Sequence, residues 1–245
     1  MARSPRLIVR TKAKSGAIAG YTLLEMLVSI AILITVTGAV FEQINSMQRK
    51  SASEAVNVDL TQQSRGFLDQ TVRDLHMAGY PDPSMYSNLA RPSLVAAGLV
   101  RVSPTEILME GDVNNDGAVE SVDISYVASD PNDPNCPCIR RSAQPKIDAD
   151  SFSQPTNLFY TETQQVFPPG TLAGQSGEDL FAYYDQNGNP VDLSTGSDIS
   201  TQQGALNLAK IKTVKINLSL LTNQRDPVTG NFLRTSMSAS SRLSY

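Results

Sequence analysis

Hydrophobic residues dominate one continuous stretch near the beginning of the chain. The run from Met26 to Phe41 contains 16 residues and no charge. A helix from Tyr21 to Phe41 would be roughly 31 Å long at about 1.5 Å per residue, which matches the ~30 Å hydrocarbon core of a bilayer. This part of the chain is therefore predicted to be a membrane-spanning helix.

The helical pattern continues beyond this run. From Glu42 to Met77 there is no proline, and the one glycine is Gly66. Apolar residues recur at spacings of three to five, as on one face of an amphipathic helix, and Gly79-Tyr80-Pro81 ends the pattern. We predict one helix from Tyr21 to Ala78. Its second half is expected to pack on a globular domain through Ile44, Met47, Ala52, Val56, Leu60, Phe67, Leu68, Val72 and Leu75.

The rest of the chain, residues 79–245, has a β pattern. Short runs rich in β-branched residues are separated by proline and glycine. In the clearest run, Val214, Ile216, Leu218 and Leu220 alternate with polar residues, as expected of a half-buried strand. The fold class is predicted to be α+β, with the long helix packed on an antiparallel sheet and Ser194–Gly204 in a polar loop. The predicted strands are Leu94–Val102, Glu106–Glu110, Val119–Val127, Asn157–Tyr160, Leu180–Tyr184, Lys212–Leu221 and Thr235–Leu243.

The residues before the apolar run indicate its orientation and processing. Residues 1–20 contain five basic residues and no acid. Such a flank stays in the cytoplasm, so the β-rich domain is expected on the far side of the membrane, in the periplasm. A secretory signal peptide starts in the same way, but its small-residue cleavage site follows the apolar core. Here the small residues Ala17, Ala19 and Gly20 precede the core.

Glu25 lies within the membrane-spanning stretch. An ionised carboxylate in a membrane helix costs on the order of 3 kcal/mol, so a partner charge is expected. If the chain is cut after Gly20, the new amine of Tyr21 lies four residues from Glu25. Amine and carboxylate could then neutralise each other, within one chain or between neighbours.

The stretch Gly20-Tyr21-Thr22-Leu23-Leu24-Glu25 and its apolar run resemble the class III leader of type IV prepilins and type II secretion pseudopilins. This resemblance implies that residues 1–20 are a leader peptide, Gly20 is the cleavage residue, Tyr21 is N-methylated and Glu25 is the assembly carboxylate. The implied partners are a prepilin peptidase, an inner-membrane assembly platform and other major or minor pilins or pseudopilins. The family usually has Phe where this chain has Tyr21, so the aromatic ring is kept.

A weaker resemblance extends into the β-rich domain. The stretch Tyr183-Tyr184-Asp185-Gln186-Asn187-Gly188-Asn189 and the late strand beginning Ile211-Lys212 are similar to PilW-type minor pilins and J-type type II secretion pseudopilins. The resemblance implies a pilin-like fold and a role in priming filament assembly. The presence of Glu25 argues against the tip subunit, which characteristically lacks this carboxylate. A type IV pilus and a type II secretion pseudopilus both stay open.

The loop from Asp112 to Asp123 has the oxygen-ligand spacing of a calcium site, with Asp112 at position 1. Positions 1, 3, 5, 9 and 12 carry oxygen-bearing side chains, a glycine stands at position 6, and the residue at position 7 could offer its carbonyl. The alternative is a metal-free Asn-Asp-Gly turn, and the flanking residues have a strand pattern on which the last ligand could point away. We therefore expect either a structural Ca²⁺ ion or an empty turn, with the candidate ligands Asp112, Asn114, Asp116, Ala118, Glu120 and Asp123.

Composition narrows the remaining function classes. The net charge is −4, and loss of residues 1–20 would leave 15 basic against 24 acidic residues, so no nucleic-acid partner is expected. Cys136 and Cys138 could form a local disulfide in an oxidising compartment or remain free thiols. His76 is the single histidine, and neither a phosphate loop nor a Gly-x-Ser-x-Gly elbow occurs. The chain is therefore predicted not to be an enzyme. A calcium-dependent binding or adhesion module on a membrane stalk is the alternative to a filament subunit.

Overall fold

A single long helix begins the described part of the chain. The computed structural model describes residues 21–82, 94–131, 133–134, 136–154, 158–170 and 178–244. The predicted leader, including Gly20, lies outside these ranges. Helix α1 spans Leu23–Met77, 55 residues, which confirms the prediction of one helix to within two residues at each end. It is long and apolar enough to cross a membrane, and none of the residues 21–41 is buried.

The chain divides between Arg49 and Lys50 into two compact units. Within the second unit, α1 buries four large apolar side chains, those of Leu60, Phe67, Leu68 and Leu75. The predicted packing face was too long, because Ile44, Met47 and Val56 are exposed. Among the described residues, the hydrophobic core contains no α1 residue before Leu60.

In the described part of the chain, eight strands form two antiparallel sheets, so the predicted α+β class is observed. The first sheet has the order β1-β2-β3-β4-β5 and the second has the order β6-β7-β8. Both contribute to one core with the second half of α1. The strands are β1 Gly98–Val102, β2 Glu106–Gly111, β3 Glu120–Val127, β4 Cys138–Pro145, β5 Tyr160–Gln164, β6 Phe181–Tyr184, β7 Thr213–Arg225 and β8 Phe232–Arg242.

Alternation in β7 correctly predicted which side chains are buried. Val214, Ile216, Leu218 and Leu220 are at most 1% exposed, whereas the residues between them are half-buried. Strand β4 was missed because its sequence, Cys-Ile-Arg-Arg-Ser-Ala-Gln-Pro, is too polar for a strand pattern. The segment predicted as a polar loop was too long, because its last three residues begin a second helix, α2, Gln202–Lys210. The hydroxyl of Thr201 caps this helix by accepting the Gly204 N–H at 3.0 Å.

The end of α1 is joined to β2 by backbone contact. The Gly79 N–H donates to the Glu110 carbonyl at 2.9 Å, and Ala78 forms a bridge with Gly111. A Cβ at Gly111 would lie 2.3 Å from the carbonyl oxygen of Met77. Glycine is therefore required here by close backbone approach, and this contact fixes the end of the helix beside the loop that follows β2.

Candidate functional site

The predicted assembly carboxylate lies in a capping box at the beginning of α1. Glu25 Oε2 accepts hydrogen bonds from the Thr22 N–H and the Thr22 hydroxyl, both at 3.0 Å. In return, the Glu25 N–H donates to Thr22 Oγ1 at 3.3 Å. This reciprocal arrangement satisfies backbone donors that would otherwise have no partner at the helix start.

Thr22 is a residue of this site that the sequence reasoning did not select. Its signal was present, since Thr22-Leu23-Leu24-Glu25 has the Thr-x-x-Glu spacing of a capping box. Tyr21 precedes the cap and is 82% exposed. Thr22, two residues after the predicted cleavage point, thus holds the Glu25 carboxylate at the exposed surface of the chain.

The predicted calcium loop brings most of its candidate ligands together. Asp112 accepts the N–H groups of Asp116 and Gly117 at 3.1 and 2.9 Å, and Asp116 accepts that of Ala118 at 2.8 Å. Asn114 accepts the Asp116 N–H at 2.9 Å. Gly117 has φ of 87°, in the left-handed region that the sharp turn requires. The loop folds around its own side-chain oxygens.

Glu120 joins this loop from the first position of β3. Its carboxylate accepts hydrogen bonds from the Val113 N–H and the Asn114 amide, both at 3.1 Å. Burial raises the pKa of Glu120, and the nearby carboxylates of Asp116 and Asp112 raise it further. Three mutually repelling carboxylates and an amide are a donor set that a hard cation such as Ca²⁺ could neutralise.

Asp123 does not join the cluster, and its assignment as the twelfth-position ligand is wrong in this fold. Glu120 and Asp123 are three residues apart on β3, and side chains at that spacing point to opposite faces of a sheet. The carboxyl of Asp123 lies on the face shared with Leu108 and Ser142, its cross-strand neighbours. The extended backbone of β3 therefore limits the candidate cation ligands to Asp112, Asn114, Asp116, Ala118 and Glu120.

The two cysteines form a disulfide just before and within β4. Cys136 and Cys138 are bonded, with a Cα–Cα distance of 4.2 Å. A carboxylate oxygen of Asp133 lies within 4.8 Å of both sulfur atoms. With its sulfurs bonded to each other, the pair serves here as a local cross-link between the turn and the strand.

Comparisons with models of protein families, with curated proteins and with solved structures found no match to this chain.

Proposed function

We propose that this chain is a minor pilin or pseudopilin subunit that a prepilin peptidase processes and that enters, or primes, a type IV pilus. One observation carries the proposal: Glu25 lies in the first turn of a single helix whose first half is largely apolar and exposed and whose second half buries one face against a β-domain. A helix of this kind can stand in the inner membrane with its domain in the periplasm. It can then exchange lipid contacts for contacts with neighbouring helices in a filament.

The capping box suggests how Glu25 acts during docking. Among the described residues of the single chain, the Glu25 carboxylate accepts hydrogen bonds only from Thr22. In an assembly, the free amine at Tyr21 of one subunit could take the place of Thr22 as the partner of a neighbour's Glu25. In lipid, a contact between two opposite charges is stronger than hydrogen bonds from uncharged donors to the carboxylate, so the exchange would favour docking.

Removal of the leader and the role of Glu25 in docking can be tested in the same cells. Coexpression with a prepilin peptidase should remove residues 1–20 and add a methyl group to the Tyr21 amine, as measured by intact mass and N-terminal fragmentation. Glu25→Ala should be processed normally, yet its amount in sheared filaments should fall at least ten-fold because the docking charge is lost. Glu42→Ala removes an exposed charge from the same helix and serves as the control. A chain that stays unprocessed, or that is cut after Phe41, contradicts the proposal.

The same chemistry would serve a type II secretion pseudopilus, which is the alternative assignment. The two differ in which filament incorporates the chain. Fractionating surface pili and overexpressed pseudopili from the same cells, with an antibody against the β-domain, separates them. Recovery in neither fraction would instead favour a binding or adhesion module held on a membrane stalk.

A calcium-binding role for the Asp112–Glu120 loop is a second proposal, favoured by the convergence of its three carboxylates. We expect Ca²⁺ to stabilise the detergent-solubilised full chain, by about 1.4 kcal/mol at ten times its Kd. Asp116→Asn should abolish the effect, whereas Asp123→Asn should leave the Ca²⁺ affinity unchanged, because Asp123 lies on the opposite face. Isothermal titration and thermal melts measure both. Equal loss in the two variants would restore Asp123 to the ligand set, and no Ca²⁺ response in the unmodified chain would exclude the site.

A further inference from the structure

Strand β8 is the outermost strand of the second sheet, and its outer edge has no backbone partner among the described residues. It runs for 11 residues and pairs with β7 over its length. Within the described residues, no backbone hydrogen bond or isolated bridge joins β8 to any other segment on its outer side. An unpaired strand of this length presents a row of N–H and C=O groups on which another chain can add a strand.

Two other strand edges in this domain are protected by short segments of the chain. The Val102 N–H of β1 donates to the Ser197 carbonyl, and the Val191 N–H donates to the Tyr183 carbonyl of β6. Between Arg234 and Arg242, in contrast, β8 has no charge, proline or glycine. The usual devices that prevent edge pairing are therefore absent from the middle of β8.

The register identifies which residues of β8 face outward. On β7, the Asn217 N–H donates to Leu180 and the Ser219 carbonyl accepts from Phe167, both at 2.8 Å and both on the side away from β8. In an antiparallel ladder, cross-strand neighbours of such residues also direct their backbone groups away from the pair. These neighbours are Ser238 and Ser236. The Ser238 N–H and C=O therefore point to the free edge.

Charge favours an acidic occupant. Neither β7 nor β8 contains a carboxylate, and their outer face carries Lys215, Arg234 and Arg242. The guanidinium of Arg234 is held over the Phe167 ring, 4.1 Å from its centroid, away from the edge. Arg242 is exposed and has no carboxylate within ion-pair distance among the described residues. It stands at one end of the free edge.

We propose that β8 is a subunit-docking edge that accepts an extended, acidic segment of a different subunit as an added strand. Backbone hydrogen bonds from Ser236, Ser238 and Ser240 provide the pairing. A carboxylate of the incoming strand pairs with Arg242 and sets its register, as cross-strand charge pairs do. This inference rests on the proposed function, since it assigns a contact to a subunit of a filament.

Ser238→Pro gives a direct test. Proline removes the outward N–H and places its ring at the free edge, while the β7–β8 ladder keeps its bonds, because proline is tolerated on the solvent side of an edge strand. We expect Ser238→Pro to be processed and to keep the thermal melting temperature of the parent chain. Its amount in sheared filaments should fall at least ten-fold. Ser238→Ala keeps the N–H and should assemble like the parent. Arg242→Glu should reduce incorporation several-fold without any backbone change.

The outcomes separate this inference from the function on which it rests. If the parent chain is absent from filaments, the proposed function fails and the edge contact is overturned with it. If both the parent and Ser238→Pro assemble normally, the subunit role stands and the edge contact is overturned. If Ser238→Pro melts at a lower temperature than the parent chain, Arg242→Glu becomes the test of the edge contact. Unchanged incorporation of Arg242→Glu into filaments overturns the acidic partner. If the purified parent chain dimerises in detergent and Ser238→Pro does not, a second copy is the occupant and the acidic partner is overturned.

Discussion

Arg141→Met should destabilise the β-domain by about 3–5 kcal/mol at neutral pH, because it leaves a buried carboxylate without its counter-ion. The Arg141 Nε donates to Asp74 Oδ2 at 2.8 Å, and the Asp74 side chain is 0% exposed. The other oxygen of Asp74 accepts from the Gln70 amide at 2.8 Å. The pair joins the buried half of α1 to β4, so its loss weakens the contact between helix and sheet.

The effect of Arg141→Met should depend on pH. Burial raises the pKa of Asp74, and the attraction of Arg141 offsets this only in part. Removing Arg141 raises this pKa further. A carboxyl whose pKa is higher in the folded than in the unfolded chain favours folding at low pH and loses that contribution as the pH rises. The destabilisation should therefore be larger at pH 8 than at pH 5.

Urea unfolding of the full chain in detergent, followed by far-UV circular dichroism, measures this difference. Asp74→Asn combined with Arg141→Met should recover at least half of the lost stability, because no unpaired charge is then buried. Arg73→Met removes an exposed cation one residue from Asp74 and should change the free energy of unfolding by less than about 0.5 kcal/mol. Equal losses in the free energy of unfolding for Arg73→Met and Arg141→Met would show that removal of any positive charge, rather than loss of the buried ion pair, causes the destabilisation.

The same ion pair explains why parts of the sheet could not be predicted from sequence. Two adjacent cations, Arg140 and Arg141, do not fit a hydrophobic strand pattern, so the sequence did not indicate a strand here. In the fold, Arg140 pairs with Asp130 and Asp133 while Arg141 pairs with Asp74, on opposite faces of β4. Asp74 is distant in the chain, and Asp130 and Asp133 lie in a turn. The local periodicity of β4 therefore does not indicate these ion pairs.

Predictions succeeded where one physical requirement dominates a long stretch. The 16-residue apolar run and the period of α1 depend only on local spacing, and the alternation in β7 depends only on which face is buried. The turn from Asp112 to Gly117 in the candidate cation loop was predicted for the same reason, because it is local, and cation binding by this loop stays a prediction. Its last ligand was predicted wrongly because the loop pattern assumes continued curvature at Asp123, whereas β2 and β4 hold that residue in an extended strand.

Asp123→Asn should stabilise the domain above pH 6, and this is the clearest consequence of its position in β3. Asp123 is 6% exposed, and its Oδ1 has no hydrogen-bond partner among the described residues. Burial, reinforced by the charge of Glu106 and opposed by Arg101, raises the pKa of Asp123 to about 6. A buried carboxylate without a full set of partners costs stability whenever it is ionised.

The pH window follows from the two protonation states. Between pH values near 3.8 and near 6, the unfolded chain loses the Asp123 proton while the folded chain still holds it, so the stability of the parent falls as the pH rises. The full difference corresponds to about 3 kcal/mol. Asparagine has the same shape and never ionises, so it avoids the cost of a buried charge at every pH.

We therefore expect Asp123→Asn to exceed the parent by about 2–3 kcal/mol in the free energy of unfolding at pH 7.5, with the gap closing near pH 4. Urea unfolding at several pH values, in the absence of Ca²⁺, measures it. Asp69→Asn removes the same charge from an exposed position on α1 and should show no such pH-dependent gain. A loss of stability in Asp123→Asn at every pH would mean that the carboxylate has a charged partner in the folded protein and is needed in its ionised form.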